Sequence, residues 1–219
     1  RTRAFDGLAC RTRLLERENV SEMERAIAFD SVSWEEFMEK NSPKKPTVIA
    51  IAAVSGGGKT TVAKGLSQEL GKTEILFLDD YDFQGPSHMM EWIDNGCDPE
   101  DWDLTPLVSE LQELLRRPLD FIMLDYPFAY LHRQVKESID FSIFIDTPLD
   151  VAMARRLIRD GQSAETIVSE MKNYLTRGRK GYLNLLQTTK PNSDLIIDGT
   201  RPVQEIVTDI THHLNGLNR

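Results

Sequence analysis

A run of apolar residues from Val48 to Ala52 passes directly into Ala53-Val54-Ser55-Gly56-Gly57-Gly58-Lys59-Thr60-Thr61, and a helical pattern begins at once. A strand that ends in a glycine-rich loop and restarts as a helix commits the chain to an α/β architecture. The glycines let backbone N–H groups converge on one point, and the helix adds the positive end of its dipole. Lys59 adds a cation able to reach β- and γ-phosphates, and Thr60 adds a hydroxyl able to ligate Mg2+. Ser55, Gly56, Gly57, Gly58, Lys59, Thr60 and Thr61 are therefore the expected nucleotide-binding residues, and the expected ligands are ATP and Mg2+. One position departs from the usual G-x-x-x-x-G-K-[ST] spacing: Ala53 stands where the first glycine is found. That corner of the loop must accommodate a methyl group.

Composition narrows the partners. The chain has 219 residues, 40% of them hydrophobic, which suffices for one sizeable core with small additions. A net charge of −9 and the lack of a dense basic run argue against a nucleic-acid backbone as partner and in favour of a small molecule. Cys10 and Cys97 are too few for a disulfide framework, and no apolar run is long enough to span a bilayer. A cytoplasmic protein with no membrane partner is expected. Residues from about Asn19 to Lys40 alternate apolar and charged positions at helical spacing, with Met23, Ile27, Trp34, Phe37 and Met38 on the candidate buried faces. Ser42-Pro43-Lys44-Lys45-Pro46 then breaks the pattern. These signals divide the chain into a helical extension, 1–45, and a nucleotide-binding domain, 46–219. The extension is expected to pack on the core, with a role in homo-oligomerisation or regulation as the alternative.

From Thr47 onward strand and helix patterns alternate. Strands are expected at 48–52, 74–78, 120–124, 141–145 and 195–197. Helices are expected at 104–116, 149–159, from 163 to about 186, and after Pro202. Short apolar runs of this kind suit a covered, doubly wound parallel sheet of about five strands flanked by helices. Ligands of such sheets sit beyond the carboxyl ends of the strands, so acids found there carry the chemistry. Asp125 is placed to hold Mg2+ beside the loop, and Asp79 to accept a proton from an attacking hydroxyl. Asp80 and Asp146 read equally well as turn or helix caps.

The loop, Leu78-Asp79-Asp80-Tyr81, the Trp102-Asp103 pair, and Phe144-Ile145-Asp146-Thr147-Pro148-Leu149-Asp150 leading into Ala154-Arg155-Arg156-Leu157-Ile158-Arg159-Asp160 form one set. Together they resemble the P-loop kinases of the uridine kinase and nicotinamide riboside kinase group, which also includes phosphoribulokinase. The resemblance spans about Thr47 to Asp198. It implies a P-loop NTPase-type fold and ATP- and Mg2+-dependent transfer of the γ-phosphoryl group to a primary hydroxyl of a nucleoside or related riboside. It further implies Asp79 as general base, with Tyr81 beside the substrate. Trp102 would lie against a base or other planar group and Asp103 on ribose hydroxyls. Arg156 and Arg159 would act as lid arginines over the phosphates, Arg156 also touching substrate, whereas Arg155 is more readily a solvated helix face.

The chain also departs from that group. Uridine kinases cover the pyrimidine with a tyrosine and a histidine between the aromatic–Asp pair and the third strand; here Leu104 to Leu119 holds one helix and a turn. Further lid arginines are replaced by Gly161-Gln162-Ser163-Ala164-Glu165, and Glu170 aligns with a substrate-binding glutamine. The stretch from Phe83 to Asp101 is long, and reads either as a cover of its own or as a surface loop with a short helix. Lys172, Arg177, Arg179 and Lys180, with Tyr174 and Tyr182, read as a solvated face that alternatively replaces the missing lid charges. His212 and His213 lie away from every strand end, and His132 follows the third strand without an evident partner. The alternatives are a kinase for a sugar, sugar phosphate or vitamin-like alcohol, and a nucleotide-binding regulatory protein without transfer activity.

Overall fold

Five short runs rich in Ile, Leu, Val and Phe pair into one parallel sheet, in which the runs, counted along the chain, lie side by side in the order second, third, first, fourth, fifth. The computed structural model describes residues 45–161 and 163–217. The expected helical extension, with Met23, Ile27, Trp34, Phe37 and Met38, and Cys10 lie outside the described residues, apart from Lys45.

In chain order the elements are β1 (Thr47–Ala52), α1 (Lys59–Glu69), β2 (Thr73–Phe77), a 3-10 turn (Leu78–Asp80), α2 (Met89–Asp94) and a second 3-10 turn (Pro99–Asp101). There follow α3 (Thr105–Leu114), β3 (Phe121–Asp125), α4 (Arg133–Lys136), β4 (Phe141–Asp146), α5 (Leu149–Asp160) and α6 (Ala164–Asn173). A π-helical segment (Tyr174–Gly178) leads into α7 (Arg179–Thr188), then β5 (Leu195–Asp198) and α8 (Val203–Leu217).

Because strand side chains alternate between faces, β1 feeds two cores. Ile49, Ile51 and Ala53 pack with Val62, Ala63 and Leu66 of α1 and Ile206, Val207 and Ile210 of α8. Val48 and Ala50 pack with Ile122 and Leu124 of β3 and Leu104, Leu107 and Leu111 on α3 and its N-terminal edge. Helices on both faces explain why the strands read as apolar runs. The register sets Ile51 of β1 level with Asp125 of β3, so the last residue of β3 stands beside the start of the loop.

The expected boundaries shift in informative ways. The second strand ends at Phe77 because Leu78 opens the 3-10 turn that carries Asp79 and Asp80. The third strand starts one residue late because the Asp120 carboxylate accepts the Lys72 N–H at 2.9 Å, tying it to the turn before β2. The long helical tract is two helices joined by the π segment. Among the described residues, no helix is long and apolar enough to cross a membrane.

Candidate active site

The phosphate loop is held by contacts that its glycines make possible. Gly57 N–H donates to Val54 O at 2.8 Å, and the Thr147 hydroxyl just after β4 donates to Gly57 O at 2.8 Å. A Cβ on Gly57 would lie 2.8 Å from the Cβ of Ala53, so the methyl of Ala53 occupies the space that glycine leaves. The departure from the glycine pattern is thereby absorbed within the loop itself. Gly56 has φ +80°, and a Cβ there would stand 2.1 Å from Ala152 O in α5. Gly58, with φ +104°, starts α1.

The loop's polar groups meet β3 directly. Lys59 Nζ lies 2.9 Å from Asp125 Oδ1, and the Thr60 hydroxyl donates to Asp125 Oδ2. Asp125 is 2% exposed, so its charge is balanced by a cation and a hydroxyl rather than by water. Thr60 and Asp125 together offer hard oxygen donors beside the loop. Among the described residues no cluster of three or more His, Cys, Asp or Glu is arranged to hold a metal.

A cavity of about 1250 Å3 opens from the loop. That exceeds the roughly 300–1,000 Å3 of an ordinary single-ligand cleft and leaves room for two ligands side by side. Ser55 to Thr61, Asp79, Trp102, Arg155, Arg156 and Arg159 all contribute to its wall. Arg156 donates to the Tyr182 hydroxyl at 3.1 Å and stands 3.6 Å from both Glu170 and Asp160. Partial burial pulls against its charge, but the Tyr182 hydrogen bond and the Glu170 and Asp160 carboxylates outweigh it and push the guanidinium above its ordinary value. Arg159 pairs with the neighbouring Asp160 at 2.7 Å, and Arg155 donates to Gly199 O at 2.9 Å.

The stretch Phe83–Asp101 supplies much of the opposite wall, through Met89, Met90, Trp92, Ile93 and Cys97. The Trp92 ring meets Trp102 edge-on at 5.9 Å and Phe128 at 6.5 Å. Asp94 ties this wall to the helical tract through Lys180 at 2.8 Å and Arg177 at 3.5 Å.

A sequence model of the phosphoribulokinase / uridine kinase family matches residues 106–206. The uridine kinase of Oceanobacillus iheyensis is 29% identical over 70% of this chain and 87% of its own length. That of Borrelia hermsii is 29% identical over 68% and 85% respectively. The chain is similar to P-loop kinases of the uridine kinase-like type. A sugar kinase structure from Janibacter sp. HTCC2649 overlays on 78% of this chain and 95% of its own, at 19% identity and a TM-score of 0.49.

Of the expected site residues, the cavity gathers the loop, Asp79, Trp102, Arg156 and Arg159, with Asp125 just behind the loop. It does not gather Tyr81 or Asp103. The Tyr81 hydroxyl donates to Glu110 at 2.6 Å and its ring stacks on Phe83. The Asp103 carboxylate accepts the Thr105 N–H at 3.0 Å and its hydroxyl at 2.6 Å, an Asx-type turn that starts α3. Those hydrogen bonds hold the Asp103 carboxyl below the usual carboxylate range.

His132 does have partners. It is 1% exposed, its Nδ1 accepts the Gln134 N–H at 3.2 Å, and its Nε2 lies 2.9 Å from Trp102 O. An accepting Nδ1 leaves the proton on Nε2, so this ring donates to the Trp102 carbonyl. Asp146 is not a turn cap: its carboxylate pairs with Lys190 at 2.6 Å. Thr147 was not singled out by sequence, although its place just past a strand's carboxyl end is the signal that marks loop-supporting residues in such sheets.

Proposed function

We propose that the chain is an ATP- and Mg2+-dependent kinase that transfers the γ-phosphoryl group to a primary hydroxyl of a small molecule. The observation that carries this reading is a single cavity walled by both the phosphate loop and Asp79. In this reading the loop amides and Lys59 bind the β- and γ-phosphates, and Arg156 and Arg159 offset the charge that develops in transfer. Thr60 and Asp125 fit Mg2+, since both present oxygen atoms and the carboxylate is buried. When bound, the ion neutralises charge on phosphate oxygens.

Asp79 takes the proton of the acceptor hydroxyl as its oxygen bonds to the γ-phosphorus, the bridging P–O bond breaks, and ADP leaves. Phosphoryl transfer depends mostly on such positioning and charge neutralisation, and these side chains supply both.

The relatives named uridine kinase favour a nucleoside or riboside acceptor. Asp103, engaged by Thr105, favours a second reading: an alcohol without a ribose diol, such as a vitamin-like alcohol. The test is Asp79→Asn. Turnover is expected to fall by about 100-fold or more with ATP affinity preserved, as measured by ADP release and by nucleotide titration. Unchanged turnover would remove Asp79 from the base role, and ATP binding without transfer to any alcohol would favour a regulatory nucleotide-binding protein.

A further inference from the structure

The part of the cavity built by residues 78–131 has an unusual chemical make-up for a site that handles polyols. Between Leu78 and Leu131 the lining residues include a single carboxylate, Asp79, and no Lys or Arg. The segment is not short of acids, but they are turned to other work. Asp94 holds Lys180 and Arg177, Asp98 accepts the Glu100 N–H, Glu100 pairs with Arg133, and Asp103 caps α3.

What faces the cavity instead is Met90, Trp92, Ile93, Trp102, Phe128 and Leu131. This wall is preformed. Trp92 holds its Nε1–H on Asp98 O at 2.8 Å and presents its ring edge-on to both Trp102 and Phe128. The Gly85 backbone lies so close beneath Trp102 that a Cβ there would be 2.4 Å from the indole, and His132 fixes the Trp102 carbonyl. Two lining residues, Trp102 and Thr189, keep a buried polar atom without a partner among the described residues, and both atoms are neutral.

A ribose or sugar placed against this wall meets one carboxylate, Asp79, and its hydroxyls turned to the apolar side chains lose water without replacement; the cavity's other polar side chains, Glu170, Asn173, Tyr174, Tyr182 and Asn184 among them, come from the helical tract. Each hydroxyl desolvated in that way weakens binding by roughly five- to a hundredfold. A flat apolar ring loses nothing comparable and gains edge-to-face contact with the aromatic residues. We propose, resting on the kinase reading above, that the phosphate acceptor is an uncharged, mainly apolar primary alcohol carrying an aromatic or similarly flat ring, rather than a ribonucleoside, sugar or sugar phosphate.

The experiment measures binding and transfer separately on the full chain. With Trp34 replaced (Trp34→Phe), the remaining tryptophans are Trp92 and Trp102, and both line the cavity. Fluorescence quenching is titrated with 2-phenylethanol and substituted benzyl alcohols, and with uridine, 2′,3′-dideoxyuridine and ribose. The proposal expects the aromatic alcohols to bind at least about tenfold more tightly than uridine, and uridine to gain nothing from its diol. Ile93→Asn is expected to erase that preference while leaving ATP affinity unchanged.

Tighter binding of uridine that is lost in the dideoxy compound would overturn the proposal, as would failure of every aromatic alcohol to bind. Mass spectrometry of the same mixtures with Mg-ATP reads transfer. Aromatic-alcohol binding without a phosphorylated product supports the ligand class and overturns the kinase reading instead.

Discussion

Gly56 and Gly58 sit two residues apart, both with positive φ, yet they answer different physical demands. At Gly58 a Cβ meets open space, so Gly58→Ala carries only the left-handed backbone strain of about 1–2 kcal/mol. At Gly56 the same methyl group meets the Ala152 carbonyl at 2.1 Å, and α5 must shift to admit it. Gly56→Ala is therefore expected to cost more than about 3 kcal/mol and to abolish nucleotide binding, as read by thermal unfolding with and without ATP. Equal losses for the two variants would show that strain, not the α5 contact, governs the loop. Lys59, Thr60 and Asp125 were legible in the sequence because loop spacing and strand position together fix both place and direction. Asp103 and Tyr81 were not. A short motif names a residue but not the way its side chain turns, and in each case a local partner, Thr105 or Glu110, takes the polar group.

At the scale of elements, α2 and the helical tract form the part of the site that the sequence described least well. The tract reads as one continuous helix because a π segment leaves no mark in apolar periodicity. It arises where the chain packs, and such segments are frequent at functional sites. α7 meets α2 at Gly181, where a Cβ would stand in ordinary contact with Ile93 at 3.6 Å. Across that contact Asp94 joins Lys180 and Arg177, and the hydrogen bond from Lys180, aided by the charges of Lys180 and Arg177, holds its carboxyl below the ordinary value. A lowered carboxylate contributes fully above its unfolded value of about 3.9 and loses that contribution as pH falls through the folded value. Asp94→Asn is thus expected to speed hydrogen exchange in α2 near neutral pH. The difference from the parent protein should shrink in molar salt and again in acid. A difference indifferent to both would mean that apolar packing, not the ion pairs, holds α2 on the tract.

For the molecule as a whole, strand number, parallel sense and helical coverage were legible because each strand is a short apolar run bounded by helical patterns. The loop's support from Thr147 and α5 was not, since nothing in residues 53–61 records what packs behind them. The cavity's division of labour became visible only with side-chain directions in hand. Thr60 and Asp125 are 65 positions apart in sequence yet share one hydrogen bond, and only the pairing of β1 with β3 brings them together. Contacts of that span form late relative to local helices, because the loop they close carries an entropy cost first. Nucleotide affinity is thus a clock for folding. In a refolding experiment a fluorescent ATP analogue should gain signal no sooner than the sheet does by circular dichroism, and an earlier signal would contradict this order. During synthesis, a ribosome must release the chain beyond α5 before the loop gains its full complement of partners. Until then the nascent glycine-rich segment is a loop in sequence only.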